Sequence, residues 1–134
     1  MEIFSMYEVG IPTERAYVYK LSSGAECYIP FQIDTSADGG HDCTCLKGGV
    51  FSVDGDETVP VLSAGFMAAK GWRGKTRFNP QGIHTYIREY NHALQQISWK
   101  AVEPRGAHVD IMGNFALIED IIKVAVGAIG LGGG

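Results

Sequence analysis

A chain of 134 residues, 46% hydrophobic and 19% charged, is long enough for one domain with a core and too apolar for a disordered polymer. Its formal net charge of −4 gives no basic surplus for phosphate backbones, which argues against nucleic acid as a partner. The most apolar segment, Phe115 to Leu131, is interrupted by Glu119, Asp120 and Lys123, and the start Met-Glu-Ile-Phe-Ser-Met lacks the layout of a secretory signal, so neither a targeting nor a transmembrane segment is expected here.

Residues 2 to 9 carry apolar side chains on both sides of a strand, Ile3, Tyr7 and Val9 against Phe4 and Met6, the pattern of an internal strand covered on both faces. Gly10-Ile11-Pro12-Thr13 ends it. Ala16 to Leu21 and Ala25 to Ile29 then read as a hairpin turning at Ser22-Ser23-Gly24. The segment from Asp34 to Gly49, rich in Ser, Asp, Gly and Cys, is expected to be a loop, and Val50 to Val53 a brief strand running into Asp54-Gly55-Asp56.

Val61 to Lys70 suits a helix bounded by Gly71, and Lys70 to Arg77 is a basic loop. After the Pro80-Gln81-Gly82 turn, the β-branched and aromatic run Ile83 to Tyr90 predicts a second strong strand. Residues 91 to 107 read as irregular. A last helix opens at the N-cap Asn114, with Phe115, Ile118, Ile122 and Ala125 on one face and Gly127 closing it. Gly130 to Gly134 has no core-forming content and reads as a flexible tail. The order strand, acid loop, helix, strand, histidine loop, helix describes an α/β unit with a sheet of two main strands.

Asp54 to Val59 lies where a strand gives way to a helix, the edge at which α/β sheets collect functional groups. An ordinary Asp-Gly turn is the equal alternative. A calcium loop is excluded, since Val59 and Gly65 stand where such a loop needs Gly and Glu. His108 follows the second strong strand, so acid and histidine come in the order of the second and third members of an α/β-hydrolase triad. A solvated loop histidine is the plainer reading. His84, inside a strand, and His92, without an acid-loop counterpart in the right order, are taken as structural.

The nucleophile signature Gly-x-Ser-x-Gly does not occur. Val61-Leu62-Ser63-Ala64-Gly65 lacks the first Gly and falls between acid and histidine, so Ser63 is not assigned. A His–Asp pair alone can accept a proton but has no hydroxyl to activate. His41, Cys43 and Cys45, with Cys27, could bind zinc; Cys-x-Cys is not a zinc knuckle, however, and loop cysteines or one disulfide, such as Cys27 with Cys43 or Cys45, are preferred. The basic loop of Lys70, Arg73, Lys75 and Arg77 around Trp72 could meet anionic headgroups, and is otherwise a solvated loop.

Several stretches together resemble one family: Tyr7 to Arg15, Asp54 to Pro60, Ser63 to Tyr90, and His108-Val109-Asp110-Ile111-Met112-Gly113-Asn114 with the helix after it. The chain is similar through them to the phospholipid:diacylglycerol acyltransferases, relatives of lecithin:cholesterol acyltransferase, and most of all to the plant enzymes. The resemblance implies an α/β class: the C-terminal portion of an α/β-hydrolase fold with an incomplete sheet, residues 1–129 forming that part of one domain and 130–134 the tail. It implies Asp56 as triad acid, His108 as triad base, and no metal or organic cofactor. The implied substrates are phospholipid and diacylglycerol, met at a membrane surface, for the full-length family that of the endoplasmic reticulum.

The family's serine elbow, oxyanion-hole loop, lid and membrane anchor are all expected upstream of Met1, so this chain is expected to be inactive alone. Two features depart from the family: Glu8 stands where it has Gly in Leu-Tyr-Gly-Val-Gly, and residues 93 to 105 lack its Gly-rich approach to the histidine. The competing reading is a non-catalytic lipid-surface or complementing module. In either case a partial sheet leaves an edge and apolar faces uncovered, so aggregation or chaperone dependence is expected.

Overall fold

The computed structural model describes residues 1–22, 30–40, 45–92, 108 and 111–128. In chain order these form β1 (Glu2–Val9), β2 (Ile11–Tyr17), β3 (Tyr19–Leu21), β4 (Phe31–Ile33), β5 (Leu46–Lys47), β6 (Val50–Gly55), α1 (Val61–Phe66), β7 (His84–Asn91) and α2 (Phe115–Ala125). A π-helical turn, Met67–Gly71, continues α1, and a 3-10 turn, Ile111–Gly113, precedes α2. The class is mixed α/β. Among the described residues no helix is long and apolar enough to cross a membrane.

The two strong strands of the sequence find each other. β1 and β7 pair in parallel from Glu2↔His84 to Val9↔Asn91. A parallel pair needs a long crossover, and residues 10 to 83 supply it. Side chains alternate across this sheet. On one face Tyr7 donates from its hydroxyl to Glu89 Oε1 at 2.8 Å, and Gly65 of α1 sits against the Tyr7 ring so closely that a Cβ there would collide with the hydroxyl. On the other, Phe4 stacks on Tyr86 at 4.9 Å, and α2 is tied down where Tyr90 donates to Asp120 Oδ2 at 2.8 Å and Arg88 Nε lies 3.1 Å from the same oxygen.

A second, antiparallel sheet runs β2-β6-β5, with Ile11↔Gly55 at one end and Tyr17↔Val50 at the other. β3 and β4 form a separate two-stranded piece. The expected hairpin is therefore displaced: Tyr19–Leu21 pairs with Phe31–Ile33, and Ala25 to Ile29 lies outside the described residues. The Asp34 to Gly49 loop holds one short strand, β5. Cys45 is disulfide-bonded, which removes its sulfur as a zinc thiolate; Cys27, His41, Cys43 and the 130–134 tail lie outside the described residues.

Three expectations need correction. β1 is half-buried and, among the described residues, pairs with β7 alone, where strand cover on both sides was expected. The helix read to Lys70 changes type at Met67, where Trp72 N–H donates to Met67 O at 2.7 Å, an i to i+5 bond. In α2 the N-cap holds, Asn114 Oδ1 accepting from Leu117 N at 3.1 Å, but the face that turns inward carries Leu117 and Asp120. Phe115, Ile118 and Ile122 are exposed, Phe115 by 74%. The Tyr90 and Arg88 bonds to Asp120 fix the helix rotation, and nothing among the described residues lies over the apolar stripe.

Candidate functional site

The acid loop is built by close backbone approach. β6 ends at Gly55, where a Cβ would collide with Thr13 Oγ1 and the Val59 carbonyl, so only glycine lets β2 and the loop close together there. Thr13 is fully buried, donates to Ile11 O at 3.1 Å and accepts from Glu57 N at 2.9 Å. Glu57 takes φ 78°, a left-handed conformation uncommon for a side-chain-bearing residue. That turn points the Thr58 and Val59 amides back at Asp56, whose Oδ1 accepts from them at 3.0 and 2.6 Å. Asp54 does different work, its Oδ1 accepting from Gly10 N at 2.7 Å and so fastening the end of β1 to the same loop.

The other Asp56 oxygen, Oδ2, lies 2.7 Å from His108 Nδ1. The pair is 52 residues apart in sequence: Asp56 directly follows β6, and His108 comes after β7 and is helical, where a loop histidine was expected. Asp56 is buried while the His108 side chain is about half exposed. Burial by itself pushes the Asp56 carboxyl up. The His108 bond and the Val59 and Thr58 amides outweigh burial and hold it below its ordinary value. A carboxylate so held keeps Nδ1 as the protonated ring nitrogen and leaves Nε2 as the lone-pair nitrogen, the arrangement that accepts a proton from a hydroxyl.

His108 and Asp56 border a cavity of about 290 Å³ that Met6, Glu8, Val59 and Ala64 also line. Ser63 is exposed on α1 and is absent from this lining, whereas Ser5 of β1 belongs to it.

Glu8 and His92 are the pair that the sequence does not disclose. Glu8 is 4% exposed, and its Oε1 meets His92 Nδ1 at 2.6 Å. His92 thus has an acid partner after all, supplied by a strand rather than by an acid loop. The available signal was a charge within an apolar strand and a histidine just past the end of another; only the register, Val9↔Asn91, places the two side by side.

Residues 1–114 match the family model of lecithin:cholesterol acyltransferase. Over 132 residues the chain is 65% identical to phospholipid:diacylglycerol acyltransferase 1 of Arabidopsis thaliana, covering 97% of this chain and 20% of that protein. It is 58% identical over 137 residues to putative phospholipid:diacylglycerol acyltransferase 2 of the same plant, with the same coverage. To the phospholipid:diacylglycerol acyltransferase of Saccharomyces cerevisiae it is 35% identical over 127 residues, 95% of this chain and 18% of that one. The chain spans about a fifth of the length of these curated relatives.

Proposed function

The chain belongs to the lecithin:cholesterol acyltransferase family, and on that premise we propose that it supplies the acid and the base of a serine O-acyltransferase that moves an acyl group from phospholipid to diacylglycerol. The observation that carries the reading is the 2.7 Å contact of Asp56 Oδ2 with His108 Nδ1, both residues bordering one cavity. In this reading residues 1–129 are the C-terminal part of one α/β-hydrolase domain. The parallel β1/β7 pair with its crossover helix supports that placement, the acid standing before the helix and the histidine after the second strand.

The chemistry follows from the pair. His108 Nε2 takes the proton of a serine hydroxyl as the oxygen attacks a phospholipid ester, then delivers it to the departing lysophospholipid oxygen. Asp56 holds the tautomer and stabilises the imidazolium that forms in both halves of the reaction. The hydroxyl of diacylglycerol next loses its proton to His108, attacks the acyl-serine and leaves as triacylglycerol, returning the proton to the serine. Both substrates are bilayer lipids, so the reaction is placed at a membrane surface. The serine is one that this chain does not carry in Gly-x-Ser-x-Gly form, and the chain alone is read as inactive.

A chimera tests this reading. The corresponding fifth of the Arabidopsis enzyme is replaced by this chain, and triacylglycerol formation from labelled phospholipid and diacylglycerol is measured. Transfer is expected from the chimera and not from the isolated chain, and His108→Ala should lower it by about 10⁴-fold or more. A chimera that works equally well after His108→Ala would falsify the assignment.

A further inference from the structure

Every acidic residue of the chain lies outside the stretch from Thr58 to Arg88, although the chain as a whole carries 15 acidic against 11 basic residues. That stretch contains Lys70, Arg73, Lys75 and Arg77, and among the described residues none of the four is ion-paired. Arg77 instead lies over the Phe78 ring at 4.4 Å. Local positive charge without carboxylate partners, in a chain of net charge −4, is a focused field.

Arg73 and Lys75 line a cleft of about 450 Å³ together with Gly74, Gly82, His84 and Thr85. Its two walls are braced from beneath by one side chain. Asn79, 4% exposed, donates from Nδ2 to Trp72 O at 2.8 Å and to Ile83 O at 2.7 Å, and its Oδ1 accepts from Ile83 N at 2.8 Å. Trp72 adjoins Arg73 and Ile83 adjoins His84, so the amide holds the basic wall and the start of β7 at a fixed spacing. Thr76 and Asn79 exchange backbone hydrogen bonds at 3.2 and 3.1 Å, closing the loop between the walls. The flanking carboxylate by register is Glu2, opposite His84, and it accepts the Tyr86 hydroxyl at 3.1 Å.

We propose that this cleft is a binding site for a phosphate group, held by the Arg73 guanidinium, the Lys75 ammonium and the His84 ring. A guanidinium fork and an ammonium in one preorganised concavity match phosphate oxygens better than they match a neutral ligand. The site is separate from the Asp56–His108 cavity. The two linings share no residue, and the nearest β1 residue of that cavity, Ser5, pairs with Ile87, roughly 10 Å along β7 from His84. The proposal does not rest on the acyl-transfer reading.

The same phosphate chemistry is presented by a free phosphate ester and by a lipid headgroup, and the test separates them. The full chain is titrated with inorganic phosphate and with glycerol 3-phosphate while amide signals of Gly74, Gly82 and Thr85 are followed by NMR. In parallel it is floated with phosphatidylcholine vesicles with and without phosphatidic acid. Saturable shifts without flotation assign a soluble phosphate; flotation that requires phosphatidic acid assigns the headgroup. In either case Arg73→Gln with Lys75→Gln should weaken binding at least about tenfold. Both side chains are exposed, so these variants keep the fold. Absence of binding to all the probes, or binding unchanged in the double variant, would each overturn the proposal.

Discussion

His92 Nδ1 lies 2.6 Å from Glu8 Oε1, while Glu8 Oε2, also buried, has no hydrogen-bond partner among the described residues. The two residues leave the same ends of β1 and β7, so their bond ties together the strand edge beneath the Asp56–His108 cavity. The pair is lopsided: Glu8 is almost wholly buried, whereas the His92 side chain is 29% exposed.

That asymmetry orders two substitutions. His92→Ala strands a buried carboxylate with no partner and should cost about 3 kcal/mol, because an unpaired buried charge loses its solvation without recompense. Glu8→Ala leaves a histidine that can still reach water and should cost less, about 1 kcal/mol. Urea denaturation midpoints of the two variants check the order. If Glu8→Ala is the more damaging, the carboxylate is serving something other than His92.

Asp56 sets a pH dependence. Its folded carboxyl is held below the ordinary value, so its stabilisation is complete above the unfolded value of about 3.9 and is lost as pH falls through the folded one. The stability gap between the wild-type chain and Asp56→Asn, read from urea midpoints between neutral and acid pH, should be constant near neutrality and shrink below about pH 4. A gap that widens on acidification would contradict the geometry.

Tyr7 predicts the alkaline counterpart. Burial first, then its bond to Glu89, pushes the phenol up to about 12. A raised value means that the stabilisation is intact below the unfolded value of about 10 and is lost as pH climbs from there toward the folded one. In a spectrophotometric titration, Tyr7→Phe should remove a late-titrating tyrosine. If it removes an ordinary one, the Tyr7–Glu89 bond is not formed in solution.

Gly55 tests how the acid loop is held. A methyl group there meets Thr13 Oγ1 and the Val59 carbonyl, which are themselves locked by the Glu57 amide and the β2–β6 ladder. Gly55→Ala should cost about 1–3 kcal/mol, the usual range for overpacking, and should broaden the His108 ring signals in NMR by loosening Asp56. Sharp, unshifted His108 signals in this variant would mean that the loop is set from elsewhere.

What could be read from residue order alone was local. The β-branched and aromatic runs marked β1 and β7, Asn114 marked the start of α2, and the strand-to-helix junction pointed to Asp54–Val59, within which only the family resemblance chose Asp56. What stayed hidden depended on contacts between distant segments. Glu8 meets His92 only through strand register. The strand partner of Tyr19–Leu21 depended on where the turn closes. The rotation of α2 was misjudged because 3.6-residue periodicity identifies an apolar stripe but not what lies opposite it; here Asp120, a charged residue, is the one pulled inward by Tyr90 and Arg88.

That rotation leads to the last prediction. Phe115, Ile118, Ile121 and Ile122 stand exposed on α2, and Leu62 and Phe66 on α1, on opposite faces of the β1/β7 sheet. A two-stranded parallel sheet with apolar side chains on both helices has more surface to cover than it can cover itself, since parallel sheets are stable when both faces are buried. The isolated chain should therefore self-associate, giving concentration-dependent elution in size-exclusion chromatography and a broad melt. Ile118→Glu with Ile122→Glu should restore a monomer at little cost in stability, because neither side chain is buried and neither contacts the Asp120 network. A sharp cooperative melt of a wild-type monomer would show that the stripe is covered from within the chain, and the double variant would then lower the melting temperature rather than leave it unchanged.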